Sequence, residues 1–328
     1  MMAVPSSSKA FGLIPWYSLL IVIGAGLAIW LASREERIAG LPKDTVIDLS
    51  FWAIPFGILG ARIYYVLFSW NQFRDRPLSV LYIWEGGIAI YGAVIAGVLV
   101  VWLFSRARRL SFFRICDVIA PGLVLAQAIG RWGNYFNMEA YGEIVTDPAL
   151  QFFPFAVLIQ EGGRPVWHMA TFFYESLWNV CVFLFLIIGR RRLFRRTGDV
   201  WNFYLFLYAA GRLIIEDFRM DSLYAAGSIR ISQLLALLLN GLIWHGWFRR
   251  PDSCRGMSKA VRILLCCLHT ACLIPVLVYA LNIPILPSLS LGGRALLLGS
   301  YSLVSIASAL LIYGKSTPEE VVYAVRSH

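Results

Sequence analysis

The chain has 328 residues, of which 59% are hydrophobic and only 15% charged, with a mean hydropathy of +0.68. This excludes a soluble domain of that size, whose exterior must suit water, whereas a bilayer solvates apolar helix faces and asks for runs of roughly 20 such residues. The net charge of +10 is divided among several loops, so it reads as topology and attraction to an anionic leaflet, and no nucleic-acid partner is expected.

Apolar runs predict nine helices, at 15–31, 47–69, 87–104, 115–130, 171–188, 201–216, 229–248, 263–281 and 295–313. The expected fold is all-α: a polytopic transmembrane helix bundle with a seven-helix core, two additional C-terminal transmembrane helices and the N-terminus outside. The first run has only Lys9 upstream and no small-x-small site before Arg34, so it reads as an uncleaved helix. Trp16 and Tyr17 open it at the outer interface, where aromatic belts sit. The second run carries Arg62 in its outer half beside Tyr64 and Tyr65, and the third opens with WEGGIAIYG, which holds Glu85 and Tyr91. The loops RARRLSFFR (106–114) and RRRLFRR (190–196) collect basic residues, which assigns them to the cytoplasm and the helix ends opposite to the outer leaflet. The fourth and sixth runs are short and end in charged residues. Between the fourth and fifth, QFFPFAVLI and then EGGRP suggest a lipid-surface segment followed by a turn.

The connector FRRPDSCRGMSKAVR (248–262) divides the chain into a core, 1–248, and an extension, 249–328, read as an appendage with no site chemistry of its own. Six cysteines give no disulfide framework; Cys116 and Cys254 fall at or beyond the cytoplasmic side and the others within spans. CCLHTAC (266–272) reads as small apolar residues on a lipid-facing helix, and neither metal nor cofactor is called for.

A charge inside a span costs about 2.5–3.5 kcal/mol on insertion scales, so each needs a partner, a wet cavity or a route to the interface. In YAAGRLIIEDFRMDS, Tyr208, Arg212 and Glu216 recur every four residues and form a stripe on one helix face. In GRWGNYFNMEAYG (130–142), Arg131, Asn134, Asn137 and Glu139 appear at the outer end of the fourth helix. Arg62, Arg131 and Arg212 are therefore expected at one leaflet, where a phospholipid headgroup is the obvious anion for forked guanidinium donors. Gly130, Gly133 and Gly142 would let backbone approach a ligand or turn out of the helix. Blander readings stand beside these: a snorkelling Arg62, a structural Arg212–Glu216 pair and belt roles for Tyr17 and Tyr91.

GRWGNYFNMEAYG resembles the signature G-R-x-G-N-[FY]-x-N-x-E-x-x-G of the prolipoprotein diacylglyceryl transferases and fills every specified position. The likeness spans about residues 11–248 and includes GARIYYVLF (60–68), WEGG (84–87), SFF (111–113) and FYES (173–176). It implies a bacterial plasma (inner) membrane enzyme, with its site open to the outer leaflet or periplasm. Such an enzyme moves the diacylglyceryl group of phosphatidylglycerol onto the lipobox cysteine of a prolipoprotein signal peptide and releases glycerol phosphate. Its partners are phosphatidylglycerol, those signal peptides and membrane lipids. By motif, Arg131, Asn134, Asn137, Glu139 and Gly142 are signature positions, Arg212 and Glu216 match the second essential cluster, and Tyr17 and Tyr208 match family tyrosines.

Three departures stand out. Tyr91-Gly92 replaces the His-Gly of many members, leaving Glu216, Glu139 and Tyr91 as candidate general bases. Met169-Ala170 replaces a His-Pro, with His168 one place early, and the last two helices lie outside the likeness. A diverged paralogue with altered donor or acceptor, and a non-catalytic phospholipid-binding or transport protein, are the competing readings; the latter would show two related halves with interrupted helices, which this sequence does not.

Overall fold

The computed structural model describes residues 9–10, 12–194, 196–221, 229–249, 257–283 and 289–314. The connector residues 250–256, with Cys254, lie outside them. Among the described residues there are nine α-helices: α1 (Trp16–Glu36), α2 (Thr45–Phe68), α3 (Ile90–Ala107), α4 (Phe112–Asn137), α5 (Thr171–Arg192), α6 (Asp199–Phe218), α7 (Ile231–Arg249), α8 (Lys259–Ala280) and α9 (Leu291–Gly314). Two small antiparallel hairpins join β1 (Lys9–Ala10) to β2 (Ile14–Pro15) and β3 (Ala156–Glu161) to β4 (Arg164–Met169). The protein is a polytopic, all-α membrane bundle.

Eight of these helices are long and apolar enough to cross a membrane, and α6 is the exception. It carries Asp199, Arg212, Glu216 and Asp217, yet 14 of its 20 residues are buried. Charges that lipid would not accept are surrounded by protein. The chain divides into two compact units, Ala28–Gly122 and the combination of Met1–Leu27 with Leu123–His328.

In the first of these, Ala28–Gly122, α2 and α3 meet backbone to backbone. A Cβ on Gly92 would lie 2.2 Å from the Gly60 carbonyl oxygen, so only glycine permits the approach. The connection between the two helices is a series of 3-10 turns, Trp70–Gln72, Pro77–Leu81 and Ile83–Glu85, and Arg62 holds it. Arg62 Nε donates to the Val80 carbonyl at 2.8 Å, Nη1 to Gly86 and Gly87 at 2.7 and 2.8 Å, and Nη2 to Ser79 and Tyr82 at 2.7 and 3.4 Å. A guanidinium has five N–H donors, and five carbonyls receive them. At the other end of α2, buried Glu36 accepts from the Asp44 and Val46 amides at 2.8 and 2.9 Å, satisfying otherwise unpaired helix-start donors.

In the larger unit, α4 corrects the expected end at residue 130: the helix runs on to Asn137. Arg131 and Asn134 therefore project from a helix and do not cap one. Met138 and Ala140 take positive φ, 53° and 56°, which terminates the helix and turns Glu139 back over its last turn. The segment after it also departs from expectation. QFFPFAVLI is divided: Phe152 and Phe155 are exposed, whereas Ala156, Val157 and Ile159 are buried in β3, and Gly162-Gly163 form the expected turn, with positive φ, as a hairpin. Val157 and Ile159 pack with Tyr135, Ala170 and Phe172 into a small apolar core, with Trp132 and Phe136 against it. That core fixes the end of α4 against the start of α5.

The last two helices pack on α6 and α7 through Val276, Leu298 and Tyr301, which join Ala209, Leu213, Ala236 and Leu237. Polar ties reinforce the seam, with the Tyr313 hydroxyl donating to Asp199 at 2.5 Å, the Tyr301 hydroxyl to Asn240 at 3.0 Å and Trp244 Nε1 to Ser308 at 2.8 Å. His269 stacks on Trp244 at 3.9 Å and is buried, so the CCLHTAC stretch uses its histidine in helix packing.

Candidate active site

Helix packing brings the polar residues together. On α6, Gly211 lies against Trp178 of α5; a Cβ there would sit 2.2 Å from the indole nitrogen, which donates to the Leu207 carbonyl at 2.9 Å. This close approach places Glu175, three residues before Trp178, opposite Arg212. On the other flank, Trp132 Nε1 donates to the Ser176 hydroxyl at 3.2 Å, and that hydroxyl donates to the Ala128 carbonyl at 2.8 Å. These bonds hold α4 beside α5 with Arg131 facing the same carboxylate.

Glu175 is the centre of the arrangement. Its side chain is 3% exposed; Oε1 lies 2.6 Å from Arg131 Nη2, and Oε2 lies 3.0 Å from Arg212 Nη1 and 3.9 Å from Arg219 Nη1. The Tyr208 hydroxyl donates to Oε1 at 3.4 Å. Arg212 also pairs with Glu216 at 2.5 Å, and Arg219 with Asp221 at 2.7 Å. Three guanidiniums thus converge on one buried carboxylate, each with further donors turned elsewhere.

From Arg131 the network continues along the signature stretch. Arg131 Nη1 lies 3.5 Å from Asn134 Oδ1, and the amides of Asn134 and Asn137 donate to Glu139 Oε1 at 2.9 and 3.2 Å. Glu139 is exposed, while Glu216 is buried. Tyr17 is seated on the same helix turn, because a Cβ on Gly133 would lie 2.5 Å from Tyr17 Cδ2.

Gly142 closes the far side. Its amide donates to the Met169 carbonyl at 2.9 Å, and an added Cβ would fall 2.8 Å from both the Phe218 carbonyl oxygen and Thr171 Cγ2. It is a crossing point for three chain segments. His168, fully buried, donates from Nδ1 to the Gly142 carbonyl at 2.8 Å, with Nε2 3.4 Å from Glu161. The Tyr141 hydroxyl donates to the same Glu161 at 3.3 Å; burial and then the neighbouring carboxylate raise its pKa, which keeps the phenol a donor. His168 therefore supports the strand-like passage through Gly142.

The structure brings together Arg131, Asn134, Asn137, Glu139, Tyr17, Tyr208, Arg212 and Glu216. Tyr91 belongs to the smaller unit, in the first turn of α3 with its ring 6.3 Å from that of Tyr64, and in that unit Arg62 is occupied by the carbonyls described above. Two residues of the cluster escaped sequence reasoning. Glu175 sat inside FYES as an isolated acid one turn into an apolar helix, and Arg219 lay just past the end of α6; the available signal was that Arg131 and Arg212 lacked a shared anion.

The family model for prolipoprotein diacylglyceryl transferase matches residues 9–248, which contain every residue of this cluster. The chain belongs to the prolipoprotein diacylglyceryl transferase family. Among its relatives, the phosphatidylglycerol–prolipoprotein diacylglyceryl transferase of Enterococcus faecalis is 44% identical over 246 residues, covering 73% of this chain and 88% of that protein. The proteins of the same name from Shouchella clausii and Limosilactobacillus reuteri are 43% and 46% identical, over 68% and 69% of this chain and 81% and 82% of theirs. Helices α8 and α9 lie beyond the residues the transferase family model matches.

Proposed function

We propose that this family member transfers the diacylglyceryl group of phosphatidylglycerol to the thiol of the lipobox cysteine in a prolipoprotein signal peptide, the first step of bacterial lipoprotein maturation. The observation that carries the reading is the convergence of Arg131, Arg212 and Arg219 on buried Glu175, beside the Asn134–Asn137–Glu139 arm. In the reaction a sulfur–carbon bond forms at the glycerol carbon, the carbon–oxygen bond to phosphate breaks, and glycerol phosphate leaves with the electron pair. The thiol proton must be taken up, because the thiolate is the nucleophile.

The arginines supply preorganised, charge-assisted donors for the phosphodiester and for the charge that grows on it as it leaves. Glu175 holds them in place and yields part of their bonding when the lipid phosphate arrives. Glu139, exposed and fixed by two amides, takes the thiol proton; Glu216 is committed to Arg212. The basic loops at 106–114 and 190–196 face the cytoplasm of a bacterial plasma membrane, with the site toward the outer leaflet.

The test supplies phosphatidylglycerol and a lipobox peptide to purified protein and detects the diacylglyceryl thioether by mass. Product is expected, and it should fall at least 100-fold in Arg131→Ala and Arg212→Ala, the scale on which loss of one preorganised charge donor acts. Failure of the wild-type chain to form thioether beside an active relative rejects the reading. Wild-type rates in Glu139→Gln would remove Glu139 as proton acceptor.

A further inference from the structure

The end of α6 is held from a direction that the family match does not cover. Asp217, next to Glu216 and fully buried, receives the Tyr279 hydroxyl of α8 at 2.7 Å and lies 3.2 Å from Arg294 Nη1 of α9. Arg230, before α7, also bonds to Asp217. The other arm of Arg294 donates to Glu143 at 2.7 Å. Glu143 is itself stitched into the site wall: its amide donates to the Phe218 carbonyl at 3.0 Å and its carbonyl accepts from the Met169 amide at 3.0 Å. One residue earlier, Gly142 pairs as an isolated bridge with Arg219, and the Met220 amide reaches the Tyr141 carbonyl at 3.4 Å.

Arg294 thus spans two segments that each carry site residues, the end of α6 with Glu216 and Arg219, and the passage 139–143 with Glu139 and Gly142. An uncompensated Asp217 in this interior would be costly, so its partners set where the helix end rests.

We propose that α8 and α9 form a positioning clamp for the transferase site: Arg294, with Tyr279, fixes Asp217 and Glu143 so that Arg219 and Glu139 are held at their working separation. Arg294 touches no reacting atom and is a positioning residue. The inference rests on the transferase reading for its kinetic arm only. A group displaced by about 1 Å costs up to 100-fold in rate, so a partial release of two site segments is expected to lower turnover about tenfold.

The experiment uses the full-length enzyme with phosphatidylglycerol and a lipobox peptide, comparing Arg294→Gln, Arg294→Lys, Glu143→Gln, the Arg294→Gln/Glu143→Gln pair and Tyr279→Phe. Arg294→Gln should lower kcat about tenfold with the peptide KM within twofold, and the double variant should be no worse, since both changes open one link. Arg294→Lys should recover part of the loss, because one ammonium cannot serve both carboxylates as a fork does. Hydrogen exchange at the Glu143 and Met220 amides should quicken in Arg294→Gln.

Wild-type kcat in both Arg294→Gln and Tyr279→Phe, multiplicative effects in the double variant, or a loss explained wholly by less folded enzyme would overturn the clamp. If Arg294→Gln does not fold, Tyr279→Phe, which removes one hydroxyl, decides by the same kcat and exchange measurements. Faster exchange in Arg294→Gln with an inactive wild type would reject the transferase reading and leave the clamp standing.

Discussion

Glu175→Gln isolates the role of the buried carboxylate. The substitution keeps the side chain's volume and one oxygen acceptor but removes the anion that lies 2.6 Å from Arg131, 3.0 Å from Arg212 and 3.9 Å from Arg219. Removing one partner of a buried ion pair costs about 3–5 kcal/mol, and the three contacts belong to one network, so their losses do not add. With one acceptor retained, the lower figure of about 3 kcal/mol applies. At about 2–4 °C per kcal/mol for a domain of 150–250 residues, the unfolding midpoint should fall by about 6–12 °C.

The assay is thermal unfolding of detergent-solubilised protein followed by tryptophan fluorescence, with and without phosphatidylglycerol. The lipid should stabilise Glu175→Gln more than the wild type, since the phosphodiester restores the missing negative charge and a ligand stabilises in proportion to its affinity for the folded state. Turnover should drop as well, because the arginines lose their template. An unchanged midpoint together with equal lipid stabilisation in both proteins would refute the reasoning.

Arg62→Met should release the turns between α2 and α3, lower stability by at least about 3 kcal/mol given several charged-donor bonds, and open residues 70–89 to protease; a raised phosphatidylglycerol KM with unchanged stability would instead make Arg62 a headgroup ligand. In Gly211→Ala the new methyl meets the Trp178 indole, so α5 and α6 must part at a cost of about 1–3 kcal/mol, and activity should fall with the melting temperature. Tyr91→Phe should keep its thioether-forming rate within about twofold, set against the 100-fold or more typical of losing a general base; a loss on that scale would return Tyr91 to the list of bases.

Eight of the nine helices among the described residues were readable because a bilayer demands long apolar runs, α6 was readable as a shorter one, and outside α4 the observed bounds differ from the expected ones by at most about five residues. The largest error fell on α4. Arg131 and Asn134 looked like a terminator since polarity normally ends a span, but here they enter a site and the helix continues beneath them. The β3–β4 hairpin was concealed because Ala156, Val157 and Ile159 bury against Tyr135 and Phe172, which gives an apolar run indistinguishable from an interfacial one. The stripe Tyr208–Arg212–Glu216 was legible from spacing alone; its target was not, because Glu175 is brought there by the Gly211–Trp178 contact, a tertiary event. The same holds for Arg62, whose carbonyl partners lie 17 to 25 residues away in the chain.

The polarity of α6 bears on how the protein is made. With Arg212, Glu216 and Asp217 near one end and Asp199 at the other, this helix is a poor candidate for partitioning into lipid as an isolated unit, each central charge costing about 2.5–3.5 kcal/mol. It has to be admitted in company with α5, whose Glu175 pairs with Arg212, and α7, whose Ala236 and Leu237 cover it. Tyr279, Arg294 and Tyr313, which bond to its two terminal acids, leave the ribosome after every residue of the cluster has been synthesised. A nascent chain stalled before α8 would hold all the cluster residues with the acids at both ends of α6 still lacking these partners.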